Sequence, residues 1–166
     1  EQRRLGNSGL RVGRLALGTM TWGRDTDEHE AREQLTMFLE AGGSLVDTAD
    51  VSADGTAEKI LGRLLADEHR PGSVILATKS VSRPGTERRF DASRRHLLSA
   101  LEGSLRRLGT DCIDLWQLHA WDPWTQIDET LAAVDSAIAA GKVRYAGVSN
   151  YAGWQVAQAA TLQAAS

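Results

Sequence analysis

Side chains that can move protons stand at the ends of four successive apolar, strand-like runs. The run SLVD ends at Asp47, VILATK at Lys79, IDLWQLH at His119, and VRYAGVSN at Ser149 and Asn150. The intervals between them are 32, 40 and 30 residues, and a strand followed by a returning helix takes about 30 residues. We therefore expect all of these side chains at the carboxyl ends of parallel strands. A carboxylate, an amine and an imidazole gathered there indicate proton-transfer catalysis.

Strand-like and helix-like patterns alternate along the chain and must position those side chains. Apolar residues at helical spacing, with capping residues before them and glycines after them, predict five helices. They are expected over 28–41, from about 56, after Ser93 up to Gly109, over 126–140 and over 153–164. Strands are expected at 15–18, 45–46, 74–78, 113–119 and 143–149, and residues 1–13 read as a β-hairpin around Asn7-Ser8-Gly9.

The alternation of strand and helix predicts an α/β fold with a parallel sheet and right-handed crossovers. A complete eight-unit barrel takes about 250 residues, whereas this chain has 166 and holds about five units. We expect residues 1–166 to form a single domain, the amino-terminal portion of such a barrel, with the hairpin at its bottom. The first strand and its loop, LALGTMTWG, carry no GxGxxG fingerprint, which disfavours a doubly wound nucleotide-binding fold.

Composition restricts the class of partner. The net charge of −3 offers no electrostatic basis for binding nucleic acid or an anionic membrane. Cys112 is the single cysteine, so no disulfide forms within the chain, and no apolar stretch reaches the roughly 18 residues of a membrane span. A chain that starts Glu-Gln-Arg-Arg does not resemble a signal peptide, and we predict a cytoplasmic protein acting on a small molecule.

Several segments, in the same order along the chain, resemble the aldo-keto reductase family. They are RRLGNSGLRVGRLALGTMTWG, VDTADVSADGTAEKILG, ILATK, LRRLGTDCIDLWQLHAWDP and GKVRYAGVSNY. The chain is similar to the amino-terminal half, and slightly more, of such an enzyme. The resemblance implies a (β/α)8 TIM barrel, NADPH or NADP as cofactor, and reduction of an aldehyde or ketone to an alcohol.

The same resemblance implies roles for individual residues. It makes Asp47, Lys79 and His119 catalytic, places Ser149 and Asn150 on the nicotinamide carboxamide, and sets Thr19, Met20 and Asp47 beside the cofactor.

Ser52 departs from the family pattern. The resemblance implies a proton-donating tyrosine a few residues after the DTA motif, and this sequence has Ser52 at that position. An aliphatic hydroxyl is a much weaker acid and a shorter side chain, so the departure predicts impaired turnover. A water molecule between Ser52 and the substrate, or His119 acting as the acid, are the alternatives. Ser52 is therefore a candidate catalytic residue with an open role.

Trp22 and Trp121 follow two of the predicted strands, in loops at the expected catalytic face. Aromatic rings there suit a pocket for an apolar or aromatic carbonyl substrate, while simple packing against the barrel rim is the alternative.

Two other functions are consistent with parts of the sequence. Ser52 also suits a non-catalytic or weakly active protein that binds a nicotinamide cofactor as a sensor. A metal-dependent hydrolase on a similar barrel is disfavoured, because no His-x-His or carboxylate cluster follows a strand, and we predict no metal site. An unpaired last strand would favour pairing with another copy, so a homo-oligomer is possible.

Overall fold

The computed structural model describes residues 1–67 and 74–165. A small antiparallel hairpin comes first, made of β1 (Gln2–Arg4) and β2 (Arg11–Gly13). The main sheet follows and contains five parallel strands in the order in which they occur along the chain. These strands are β3 (Ala16–Gly18), β4 (Leu45–Asp47), β5 (Ile75–Ser80), β6 (Ile113–Leu118) and β7 (Val143–Val148).

A helix follows each strand of the main sheet. The helices are α1 (Glu28–Glu40), α2 (Thr56–Asp67), α3 (Arg94–Leu108), α4 (Ile127–Ala139) and α5 (Gly153–Ala165). The arrangement is an α/β partial barrel of five strand–helix units, which confirms the predicted fold class. Within the described residues β3 and β7 each pair on one side only, so the sheet is open there.

The sequence signals for helix ends operate as predicted at three positions. Asp27 and Glu30 form a capping box: the Glu30 N–H donates to the Asp27 carboxylate at 2.9 Å, and the Asp27 N–H donates back to Glu30 at 3.2 Å. Ser93 accepts from the N–H of His96 at the start of α3. Gly109 ends that helix in the left-handed region, with φ of 66°, where a glycine pays no steric cost.

The hairpin lies against the amino ends of the parallel strands. The Gly13 N–H donates to the Ser44 hydroxyl at 3.0 Å, and Ser44 immediately precedes β4. The loops that carry the polar residues therefore lie at the opposite edge of the sheet, where the strands end.

The core lies between the sheet and its covering helices, and it keeps the strand ends in place. Leucines from each of the first three helices pack on the outer face of the sheet, and at most 1% of their surface is exposed to solvent. They are Leu35, Leu61, Leu64, Leu97 and Leu101. Val46 and Trp116 meet them from the strands. The predicted helix break at Pro71-Gly72 lies outside the described residues. Across the described part of the chain, none of the helices combines the length and apolar character that a bilayer span requires.

Candidate active site

Asp47 and Lys79, at the carboxyl ends of neighbouring strands, form an ion pair. The Lys79 Nζ donates to an Asp47 carboxylate oxygen at 2.5 Å and to the Thr48 carbonyl at 2.9 Å. The parallel register sets Asp47 beside Ala77, and Lys79 lies two residues further on the same face of β5. Lys79 is 14% exposed and Asp47 34% exposed, so the pair is partly shielded from water but still open to a ligand.

Gln117 is a third member of this cluster that the sequence analysis did not identify. Its amide nitrogen donates to the second oxygen of Asp47 at 3.1 Å. Lys79 pairs with Gln117 across the β5–β6 ladder, so both side chains stand on one face of the sheet. The signal was present in the alternation of IDLWQLH, because Gln117 is a polar residue two positions before His119 on an otherwise apolar face.

His119 follows β6 directly, and the charges of Lys79 and Asp47 act on its imidazole. Its backbone N–H donates to the Ser80 carbonyl at 2.8 Å, which fixes the residue next to the end of β5. Burial lowers the pKa of His119, the Lys79 ammonium lowers it further, and the Asp47 carboxylate partly opposes both. The ring is therefore neutral near pH 7, and its buried Nδ1 has no hydrogen-bond partner among the described residues.

Ser149 and Asn150 complete the row at the end of β7. The Ser149 N–H donates to the Leu118 carbonyl at 2.8 Å. The Asn150 amide nitrogen donates to the His119 carbonyl at 2.9 Å and to the Ser149 hydroxyl at 3.1 Å. Asn150 adopts the left-handed region with φ of 56°, which asparagine tolerates better than most residues. Residues at four neighbouring strand ends, those of β4 to β7, thus lie in one continuous arc.

Thr19 and Met20 leave β3 on the other side of Asp47. Thr19 is fully buried, and its N–H donates to the Asp47 carbonyl at 3.0 Å. Met20 is 68% exposed at the same edge of the sheet. The two residues therefore differ in what they offer: Thr19 holds the end of β4, while the Met20 side chain is free to contact a ligand.

Ser52 lies in a short 3-10 turn, Ser52–Gly55, between β4 and α2. It is half-buried, and its N–H donates to the Ala49 carbonyl at 3.1 Å. The next two residues, Ala53 and Asp54, have φ of 47° and 53°, in the left-handed region that residues other than glycine, asparagine and aspartate seldom adopt. The backbone just after position 52 is therefore held in an unusual conformation for Ala53.

The two candidate substrate residues, Trp22 and Trp121, differ in accessibility. Trp22 is fully buried in the core, and its indole N–H donates to Gln34 on α1 at 2.8 Å. It presents no surface to a substrate, contrary to our expectation, because its loop folds back over α1. Trp121 is half-buried and makes edge contacts with Tyr151 and Trp154, with ring centroids 5.3 and 5.4 Å apart.

Among the described residues no group of three or more His, Cys, Asp or Glu side chains is arranged to hold a metal ion. Chemically, the arc combines the ammonium of Lys79, which is paired with a carboxylate, the neutral imidazole of His119, and amide and hydroxyl groups. Such a set can donate hydrogen bonds to an oxygen that gains negative charge, and it can bind an amide group.

Comparisons of sequence and of structure with known proteins agree with one another. The chain is 41% identical over 165 residues to the uncharacterized oxidoreductase YrpG of Bacillus subtilis (strain 168), covering 93% of this chain and 51% of that protein. It is 36% identical to the norsolorinic acid reductase stcV of Emericella nidulans, covering 91% of this chain and 43% of that protein.

A solved structure agrees. The aldo-keto reductase AKR11C1 from Bacillus halodurans (holo form) superposes with a TM-score of 0.81 at 40% identity, covering 90% of this chain and 50% of that one. The chain thus spans about half the length of the relatives it matches. The model of the aldo/keto reductase family matches residues 14–165, and with these relatives it establishes that the chain belongs to the aldo/keto reductase family.

Proposed function

We propose that this chain is part of an NADP-dependent oxidoreductase that reduces the carbonyl group of an aldehyde or ketone to an alcohol, with turnover weakened at Ser52. Membership of the aldo/keto reductase family and the oxidoreductase relatives support the general activity. The single observation that carries the proposal is the convergence of Asp47, Lys79 and His119 at one rim of the sheet.

The cofactor would bind along the arc of strand ends, and the residues present fit its nicotinamide end. A carboxamide needs both a donor and an acceptor, and the Ser149 hydroxyl and the Asn150 amide supply them side by side. Thr19 and Met20 would flank the ring from the β3 side. When bound, the reduced nicotinamide supplies a hydride to the substrate carbon. Every other requirement of the reaction falls to the protein.

The first requirement is to stabilise the oxygen that becomes negative. The neutral His119 ring can donate a hydrogen bond to that oxygen and orient it. The Lys79 ammonium adds a positive charge nearby, and Asp47 together with the Thr48 carbonyl keeps that ammonium in place. Gln117 donates to the other oxygen of Asp47, so both carboxylate oxygens have a hydrogen-bond partner.

The second requirement is a proton, and here Ser52 is the weak component. A phenol near Lys79 would have its pKa lowered by the ammonium, whereas an aliphatic hydroxyl is not acidified enough to serve. The loss of a positioned general acid costs about 10²–10⁴-fold in rate. Slow turnover through a bridging water would account for any remaining activity. Proton donation by His119 is disfavoured, because its lowered pKa leaves little imidazolium near pH 7.

For the substrate, Trp121 is the remaining aromatic candidate. Together with Tyr151 and Trp154 it forms an aromatic cluster two residues beyond His119, and Trp154 is 62% exposed. Aromatic faces of this kind favour apolar or aromatic carbonyl compounds over small hydrophilic ones. The cytoplasmic location and the homo-oligomeric state stay predictions.

The alternative function is a cofactor-binding protein with little or no turnover, acting as a sensor. The observation that favours it is again Ser52, because every residue proposed to bind the nicotinamide is present while the proton donor is not.

The experiment that separates the two functions replaces Ser52 by tyrosine and, as a matched control, by phenylalanine. It measures NADPH oxidation with an activated diketone, using the full-length protein and its variants. We expect Ser52→Tyr to raise the rate by about 10²–10⁴-fold over both the wild type and Ser52→Phe, which carries the ring without the hydroxyl. No gain from the tyrosine would overturn the assignment of position 52, and NADPH binding without any turnover in the wild type would favour the sensor.

A further inference from the structure

A buried charged cluster lies behind the candidate active site, between the sheet and α2 and α3. The Glu58 side chain is completely buried and accepts from the Thr78 hydroxyl at 2.6 Å and from the Arg107 Nε at 2.7 Å. Thr78 immediately precedes Lys79, and successive side chains of a strand point to opposite faces. The cluster therefore occupies the helix-covered face of the sheet, directly behind the Lys79 ammonium.

Asp50 adds a second carboxyl group to this cluster. One of its oxygens is buried and has no hydrogen-bond partner within the described residues. Burial raises the pKa of Asp50 to about 7, the Glu58 carboxylate adds to the rise, and Arg107 opposes it together with bonds from the Val51 N–H and the Ser80 hydroxyl. Among the described residues, the Arg107 guanidinium thus faces two carboxyl groups: the fully buried one of Glu58 on α2 and the half-buried one of Asp50 on the β4–α2 connection.

The backbone connects this cluster to the site. The Asp50 N–H donates to the Lys79 carbonyl at 3.1 Å, and the Thr48 carbonyl accepts from the Lys79 Nζ. At the other end of the connection, a Cβ on Gly55 would lie 2.8 Å from the Cδ of Arg107, so Gly55 rests directly on the arginine stem. Ser52 lies between these two attachment points.

We propose that Asp50 is a pH-responsive positioning residue that sets the shape of segment 48–55 and, through it, the placement of Ser52 and Lys79. With a proton on Asp50, Arg107 serves Glu58 alone and the segment keeps the geometry described above. Without that proton, the new carboxylate repels Glu58 and attracts Arg107 in a partly buried environment, where such forces are stronger than in bulk water. Because Arg107 contacts Gly55 and Asp50 holds Lys79, the change reaches both the turn and the ammonium.

Direct titration by NMR tests this proposal and requires no turnover. The ¹³C signal of the Asp50 carboxyl is followed from about pH 4 to 9, together with the amide signals of Ser52, Gly55 and Lys79, and with the His119 ring as an internal marker. We expect the Asp50 carboxyl to titrate close to neutral pH, and the three amides to shift with the same midpoint. Asp50→Asn removes that phase, whereas Asp54→Asn, an exposed carboxyl on the same turn, leaves it unchanged.

Three results would overturn the proposal. They are an Asp50 midpoint near its ordinary value, amide shifts that follow the His119 ring instead of the carboxyl, and a neutral-pH phase that persists in Asp50→Asn. The wild-type titration decides the first two by itself, so the proposal remains open to refutation even if the variant fails to fold.

Discussion

Replacing Asp50 with asparagine should change how the stability of the chain depends on pH. Asparagine keeps the shape of the side chain and removes its titratable proton. In the folded wild type the pKa of Asp50 is raised from its ordinary value of 3.8 to about 7, with burial as the main cause. Between these values the folded state holds a proton that the unfolded chain has released. The free energy of unfolding of the wild type therefore falls as the pH rises through this range.

The size of the effect follows from the two pKa values. Each pKa unit of difference corresponds to about 1.4 kcal/mol, so the change from 3.8 to about 7 is worth about 4 kcal/mol. The loss is absent below about pH 4, where both states are protonated, and complete above about pH 7, where both are ionised. Asp91 and Asp122 have lowered pKa values and contribute with the opposite sign. Taking the difference between variant and wild type at each pH cancels their contribution.

Urea unfolding followed by tryptophan fluorescence at a series of pH values measures this difference. Relative to the wild type, Asp50→Asn should gain about 4 kcal/mol of stability between about pH 4 and 8. The control Asp54→Asn, which changes an exposed carboxyl within the turn Ser52–Gly55, should give a difference from the wild type that does not vary with pH. A difference between Asp50→Asn and the wild type that does not vary with pH would refute the reasoning.

Two further predictions concern the packing around the same cluster. Arg107→Leu should lower the free energy of unfolding, measured with urea, by about 3–5 kcal/mol, because the buried Glu58 carboxylate loses its cation. The control is Arg106→Leu, at an exposed neighbouring position. A loss of equal size in the control would contradict the explanation. Gly62→Ala should lower thermal stability despite the better helix propensity of alanine, because its Cβ would lie 2.7 Å from the Arg107 carbonyl oxygen, and overpacking costs about 1–3 kcal/mol. Gly103→Ala should cost less, since its Cβ meets only the movable end of a guanidinium; calorimetry that ranks the two glycines the other way would contradict this.

Periodicity and capping signals were sufficient to predict the elements of this fold. Strand and helix patterns are local, so the alternating order of the main sheet, the capping box at Asp27 and the end of α3 at Gly109 all followed from nearby residues. The parallel topology then required Asp47, Lys79 and His119 to leave the sheet at the same edge. That part of the candidate site is a consequence of sequence order alone.

Contacts between distant residues could not be read in this way. Gln117 reaches Asp47 across 70 positions, and Arg107 reaches Glu58 across 49. Strand register and the approach of α3 to α2 create both contacts, and neither leaves a periodic signal. The same applies to Trp22, whose position in a loop predicted an open pocket, although its loop folds the ring into the core.

The sequence by itself determined the family, the order of strands and helices, and the rim at which the polar side chains meet, because these depend on local pattern and chain direction. Only the tertiary structure decided which side chains form ion pairs and which ionisable groups have shifted pKa values. Burial and neighbouring charges, which the packing of separate helices on one sheet creates, are what move the pKa values of Asp50 and His119 away from their ordinary values.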